Sequence, residues 1–220
     1  MKVFCVIPAY NEARSIVSVV GRVKPLVDEV IVVDDHSSDK TLELAQKTGA
    51  IVLHHIINRG QGAALQTGND YALRHGADII VHFDADGQFL AEEIKDIVQP
   101  IKNNQADIVF GSRFLGKKSN LPKFKKNIIM PLAKLINKVF FNINLSDPQN
   151  GFRAMSALVA SEIRIENDGM AHCNEILIKS FKNKYRIQEV PITVIYHEFG
   201  QKFSGGIRII KDLIYKAITK

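Results

Sequence analysis

Residues 82–88, "HFDADGQ", end an apolar run and carry two carboxylates separated by one small residue. In an extended chain, residues two apart point to the same side, so Asp84 and Asp86 converge there. Paired hard oxygen donors suit Mg²⁺ or Mn²⁺, ions usually held by one or two carboxylates together with substrate phosphates. Gln88 offers a neutral oxygen to the same ion, and the small Ala85 leaves room for a ligand beside the backbone. Asp-Gly is also a common turn dipeptide, so a solvated acidic turn is the competing reading of these residues alone.

The elements that would position the pair are legible around it. Apolar runs at 2–8, 29–35, 51–55, 78–84 and 106–112 alternate with helical patterns, which predicts an α/β fold with an open, mostly parallel sheet flanked by helices. In such sheets ligands bind outside the carboxyl ends of the strands. The unusual polar residues fall there: "PAYNE" after the first run, "DDHSSD" after the second, "NRGQG" after the third, "DADGQ" after the fourth and "GSR" after the fifth. One acidic strand end is a cap or a turn; five polar ends on one edge point to a single site.

Past Arg113 the pattern changes. A loop rich in Gly, Lys and Ser leads to "NIIMPLAKLINKVFFNI", then to the turn-rich "SDPQNGFRAM", a helix at "CNEILIKSFKNK" and an extended "YRIQEVPITVIY". A basic amphipathic helix is expected to close the chain. The expected organisation is one domain over 1–220, a Rossmann-like nucleotide-binding half (1–113) and an acceptor-side half (114–220) on the same sheet. Between Arg113 and Ser146 stand eight Lys or Arg residues and no Asp or Glu, within a net charge of +6. Such a block favours phosphates: an anionic membrane surface, a phosphorylated substrate or nucleic acid. No nucleic-acid module accompanies it, so nucleic acid ranks last. The two cysteines, Cys5 and Cys173, form no disulfide framework, which predicts a reducing compartment. The N-terminus enters a strand pattern without a signal-type apolar region, and no apolar run approaches the ~20 residues that span a bilayer. The expected location is cytoplasmic.

"VIPAYNE", "VVDDHSSDKT", "NRGQGAA", "FDADGQ", "FGSRF", "GFRAM" and "EVPI" occur in an order and spacing that resembles the family 2 glycosyltransferases of GT-A fold. The likeness covers essentially the whole chain and is strongest to the dolichyl- and polyprenyl-phosphate sugar synthases. It implies a metal-dependent, inverting transfer of sugar from a UDP- or GDP-linked donor to a polyprenyl phosphate on the cytosolic membrane face. Residue by residue, it implies that Pro8, Tyr10, Glu12 and Asp35 hold the nucleotide, with Val33 lining the pocket. It places Asp84, Asp86 and Gln88 at the metal, Arg113 near the diphosphate and the acceptor phosphate, and Asn58, Gly60 and Gly62 on a loop that closes on the donor. Lys202, in "GQKFSGG", matches a second closing loop. Asp86 and Arg113 would carry the catalysis.

A lipid phosphate is an anionic nucleophile and needs no strong general base. The block after Arg113 would then serve the acceptor, with Lys125 and Lys126 for its phosphate. The chain departs from the synthase pattern at Lys126 and Met130, where Arg and Ser are usual, losing a bidentate fork and a hydroxyl donor. It also has His36 after Asp35 where Gly is common. The alternatives are transfer to a saccharide or small-molecule hydroxyl, with Glu175 as base, and a nucleotide-sugar-binding module without turnover. For His54 and His55 a surface or core role is expected, and for Glu175 a helix-terminal acid competes with the base.

Overall fold

The computed structural model describes residues 1–116 and 145–195. Lys125, Lys126, Met130, Lys202 and the expected closing helix lie outside them. Seven strands, β1 (Val3–Ala9), β2 (Glu29–Asp34), β3 (Ile51–His54), β4 (Ile79–His82), β5 (Ile108–Ser112), β6 (Arg153–Ser156) and β7 (Ile187–Pro191), form one sheet in the order β3-β2-β1-β4-β6-β5-β7. All pairings are parallel except those of β6, which runs antiparallel between β4 and β5. The five strands expected in the first half are present, with ends shifted by up to two residues. Both strands after residue 150 join the same sheet.

Side chains alternate through β1. Val3, Cys5, Ile7 and Ala9 pack on one face beneath α1 (Ile16–Val23) and α4 (Ile94–Lys102), with α2 (Thr41–Gln46) at the margin. Phe4 and Val6 pack on the other, beneath α3 (Gln61–Arg74), α5 (Ala157–Glu162) and α6 (His172–Lys182). A strand buried on both faces reads as a continuous apolar run, because neither face is polar.

β1 and β4 part at the carboxyl edge. Their last paired residues are Val6 and His82, and the last bond between them runs from Phe83 N–H to Val6 O. Beyond that point β1 continues through Pro8, whose missing N–H faces the side that β4 has left, so no ladder bond is lost. Strand order also reverses here, β2 and β3 lying on one side of β1 and β4 on the other, which opens the crevice where ligands bind in such sheets.

The position of α3 rests on Gly68. A Cβ at this residue would stand 2.2 Å from Val6 Cγ1, so helix and strand approach closer than any other side chain allows. Gly68→Ala is therefore expected to cost about 1–3 kcal/mol in denaturant unfolding, the usual penalty for overpacking a filled core. An unchanged midpoint would show that α3 can retreat freely.

Candidate active site

The loop after β1 and the loop after β2 are locked together at the edge of the crevice. Asn11 N–H donates to Ser37 Oγ (3.0 Å), Ser38 N–H to Asn11 Oδ1 (2.8 Å), Glu12 N–H to Thr41 Oγ1 (2.7 Å) and Ala13 N–H to Asp39 Oδ2 (3.2 Å). Asn11 and His36 both take left-handed backbone, φ +58° and +62°. That conformation is easiest for Gly, which accounts for the usual glycine at the position of His36. Much of "DDHSSD" thus builds the adjoining loop. Tyr10 is left 51 % exposed at the crevice mouth. Glu12 accepts from Ser15 Oγ (2.8 Å), and burial raises its pKa against that bond, helped by the charges of Asp86 and Asp39.

Asp35 is buried, and its carboxylate is engaged by the protein. Oδ1 accepts from Arg59 N–H (2.9 Å) and meets His55 Nδ1 (2.7 Å), while Oδ2 accepts from Gly60 N–H (2.6 Å). Asn58 Nδ2 donates to the main-chain O of the same aspartate (3.0 Å). The carboxylate expected to hold the nucleotide thus also anchors the 55–60 loop. His55 and His54 both pair with strand-end aspartates, the latter with Asp34 at 2.9 Å, as expected of structural histidines. Val33, expected to line the pocket, is 0 % exposed and packed with Phe4, Ile31 and Ala64. The alternation of β2 turns it toward α3, beneath the site and not onto its surface. Pro8 and Ala85 are also buried, so they shape the crevice through backbone.

Asp84 and Asp86 occupy the turn that follows β4. Asp84 Oδ1 accepts from Gln61 Nε2 at the start of α3 (2.9 Å), and a Cβ on Gly151 would lie 2.8 Å from Asp84 Oδ2. The carboxylate therefore rests against the Gly151 backbone. Asp86 Oδ1 accepts from Gln88 N–H (3.0 Å) across Gly87, φ +74°, so the acidic turn and the converging carboxylates are one feature. Phe83 and Phe89 flank the turn and meet Phe152 with ring centroids 5.1 and 5.2 Å away. Burial, then the Asp86 charge, then Cys173 push the Asp84 carboxyl up to about 7.

Arg113 follows β5 at the same edge of the sheet. Asp147, 0 % exposed, accepts from its Nε and Nη2 at 2.6 Å each and from its N–H at 3.1 Å. Glu189 of β7 accepts from Ser146 N–H and Asp147 N–H and holds that segment in turn. Sequence reasoning missed Asp147, Glu189, Gln61 and the supporting role of Gly151. The only signal was polar residues amid the turn-rich "SDPQNG" and a lone acid within "IQEVP".

Glu175, the alternative base, is 8 % exposed. Its carboxylate accepts from Glu166 N–H (3.0 Å), Asn167 N–H (2.8 Å) and Asn167 Nδ2 (2.6 Å), and Lys179 lies 2.8 Å away. Burial opposes ionisation, yet Lys179 and Asn167 hold its pKa below the usual value. The loop so held sends Asp168 O onto Gly62 N–H (2.7 Å), capping α3.

The sequence profile of Glycosyl transferase family 2 matches residues 4–164. The chain belongs to glycosyltransferase family 2. Relatives within it include the UDP-N-acetylglucosamine--dolichyl-phosphate N-acetylglucosaminyltransferase of Methanococcus voltae, 33% identical over 98% of this chain and 94% of that one. The undecaprenyl-phosphate mannosyltransferase of Micrococcus luteus is 34% identical over 94% and 89%. Among solved structures, the glucosyl-3-phosphoglycerate synthase of Mycobacterium tuberculosis, crystallised with Mn²⁺, UDP and phosphoglyceric acid, shares the fold at TM-score 0.77 and 20% identity, over 98% of this chain and 78% of that one. This glycosyltransferase accordingly has the GT-A type of fold that its strand ends led us to expect.

The elevated Asp84 has a measurable consequence. A carboxyl whose folded pKa is raised contributes stability below its unfolded pKa and loses it as pH rises through the folded one. For Asp84 that window runs from 3.8 to about 7. In chelator, Asp84→Asn should flatten the fall of stability across it and leave the protein above the window more stable by roughly 2 kcal/mol, allowing for partial solvent screening. Denaturant midpoints measured against pH check this; parallel curves for the two proteins would contradict it.

Proposed function

We propose that the protein transfers a sugar, with inversion, from a nucleotide diphosphate sugar to a polyprenyl phosphate. The observation that carries this reading is the carboxylate pair at the parting of β1 and β4, where burial and mutual repulsion disfavour full ionisation without a cation. Two acidic oxygens held by a short turn, with Gln88 adjoining, fit a hard divalent ion. Asp84, Asp86 and Gln88 would hold Mg²⁺ or Mn²⁺, and the ion would stabilise the charge of the departing diphosphate. A metal-bound UDP in the structural neighbour and the lipid-phosphate acceptors in the relatives' names support the assignment.

The chain's own residues have separable tasks. Tyr10 and Glu12, on a loop fixed by Ser37, Ser38 and Thr41, border the nucleotide. Arg113 is held in one orientation by Asp147 and would present its positive charge to the phosphates. Lys125 and Lys126 receive the acceptor phosphate, and Lys202 closes over the donor. The basic, apolar segment from Arg113 to Ser146 seats the protein on the cytosolic face of the membrane. Among the described residues no helix is long and apolar enough to cross it.

Transfer to a hydroxyl would call for a base, and the engagement of Glu175 with its own loop argues against that reading. Glu175→Gln should keep transfer within about 10-fold of the parent, whereas loss of a true general base costs roughly 10²–10⁴-fold. The central test is incubation with radiolabelled nucleotide sugars, Mn²⁺ and a polyprenyl phosphate, followed by organic extraction. Label should enter the lipid phase, and Asp86→Ala should reduce it by roughly 100-fold or more. Label appearing only in water-soluble acceptors, or full activity of Asp86→Ala, would overturn the proposal.

A further inference from the structure

Beneath the carboxylate pair lies a guanidinium that makes no salt bridge among the described residues, although its charge acts on Asp84. Arg153 is 0 % exposed at the centre of the sheet, paired across β6 with His82 of β4 and Phe110 of β5. Its Nε donates to Gly151 O (3.1 Å) and its Nη2 to Asn150 O (3.0 Å), while the charge stacks on the Phe110 ring at 5.8 Å. Nη1 is buried without a hydrogen-bond partner. A guanidinium does not give up its proton in a protein, and an unbalanced buried charge is costly. Balance must come from a neighbour.

One atom that can supply it touches the guanidinium directly. Cys173 Sγ lies 3.1 Å from Arg153 Nη2 and 3.4 Å from His172 Nε2. His172 Nδ1 lies 2.9 Å from Gly169 O, so Nδ1 carries a hydrogen and Nε2 is the atom that exchanges a proton with the sulfur. We propose that Cys173 is a thiolate, that it forms a buried ion pair with Arg153, and that Arg153 is thereby the positioning residue that holds the Asn150–Gly151 backbone against Asp84. The proposal rests on the reading of Asp84 as a ligand of the diphosphate-side metal.

The charges around the sulfur agree with this. Burial works against a thiolate, but Arg153 and His172 outweigh it and bring the thiol down to about 6. The sulfur in turn raises His172 against its own burial. The other charged or titratable groups of the cluster are Asp84, which burial, then Asp86, then the sulfur push up against His172 and Arg153, and His82, which burial and then Arg153 and His172 keep neutral. An uncharged Cys173 would leave Arg153 to seek another anion, and the neighbouring candidate is Asp84 itself. The thiolate thus keeps Arg153 on the Gly151 wall and leaves Asp84 available to the ion.

The test has a spectroscopic and a kinetic arm. Cys5 is buried among apolar side chains that push its thiol far upward, so it contributes no thiolate at neutral pH. The wild-type protein should show the ultraviolet thiolate band of one cysteine, lost as pH falls through about 6 and absent in Cys173→Ser. At limiting Mn²⁺, Cys173→Ser and Cys173→Ala should lose roughly 10–100-fold in sugar transfer and need more metal, as partners that orient ligands do. Cys173→Asp, which restores the anion, should recover most of that loss. Absence of the band at neutral pH overturns the proposal, and so does a Cys173→Ser enzyme as active as the parent. Should the variants fail to fold, acid titration of the wild type decides alone. The band does not depend on metal, whereas full activity in Asp86→Ala would remove the ligand reading and leave the ion pair standing.

Discussion

Asp84 and Asp86 share one turn, and burial together with their mutual repulsion raises the Asp84 pKa to about 7. Left to itself, such a pair would separate or take up a proton. Here the chain allows neither freely, because the turn is closed by Gln88 N–H, and the Asp84 oxygens are confined by Gln61 and the Gly151 backbone. Phe83, Phe89 and Phe152 pack together beneath it. The arrangement holds like charges in place, and the divalent cation proposed for it would lower its energy.

Most of the polar residues at the sheet edge serve one another before they serve a ligand. Thr41, Ser37 and Asp39 fix the loop after β1; Asp35 fixes the loop before α3; Glu175 fixes the loop that caps α3 through Asp168. Apart from the main-chain bond between Asp168 and Gly62, each joins a side chain to a main-chain group at least 8 residues away in sequence. Loops at the carboxyl edge lie where ladder pairing has ended, so their backbone donors must find partners elsewhere. A polar residue at a strand end is therefore as apt to orient another loop as to touch substrate. Asp35 and Glu175 do the former.

How far the sequence could be read follows from the same distinction. Continuous apolar runs located β1 to β5, because parallel strands buried on both faces leave that mark. The turn around Gly87 was legible from an Asp-Gly pair, and the two carboxylates two residues apart are near enough for the Asp86 charge to raise Asp84. The position of β6 was not legible, since a four-residue "RAMS" carries no sign that it inserts antiparallel between β4 and β5. With β6 unplaced, Arg153, Gly151 and Asp147 could not be assigned to the site, although "GFR" and "SDPQNG" stood in view. Val33 illustrates a different limit: resemblance gives a position in a motif, while strand parity decides which face its side chain takes.

The use of Glu175 bears on the nucleophile. A carboxylate that already accepts three hydrogen bonds and pairs with Lys179 is stabilised as the anion, which makes it a weak proton acceptor. Sugar transfer to a hydroxyl asks for a group with the opposite property. Transfer to a phosphate monoester does not, because its second ionisation lies near ~6 and the attacking oxygen is charged beforehand. The requirement at the acceptor side is then for cations that bring one anion up to another. The run from Arg113 to Ser146, with eight basic residues and no acidic one, has that composition. Acid engaged within the scaffold and a base-rich run that follows Arg113 in sequence are two parts of one charge distribution, which would suit the proposed joining of two phosphate-bearing substrates.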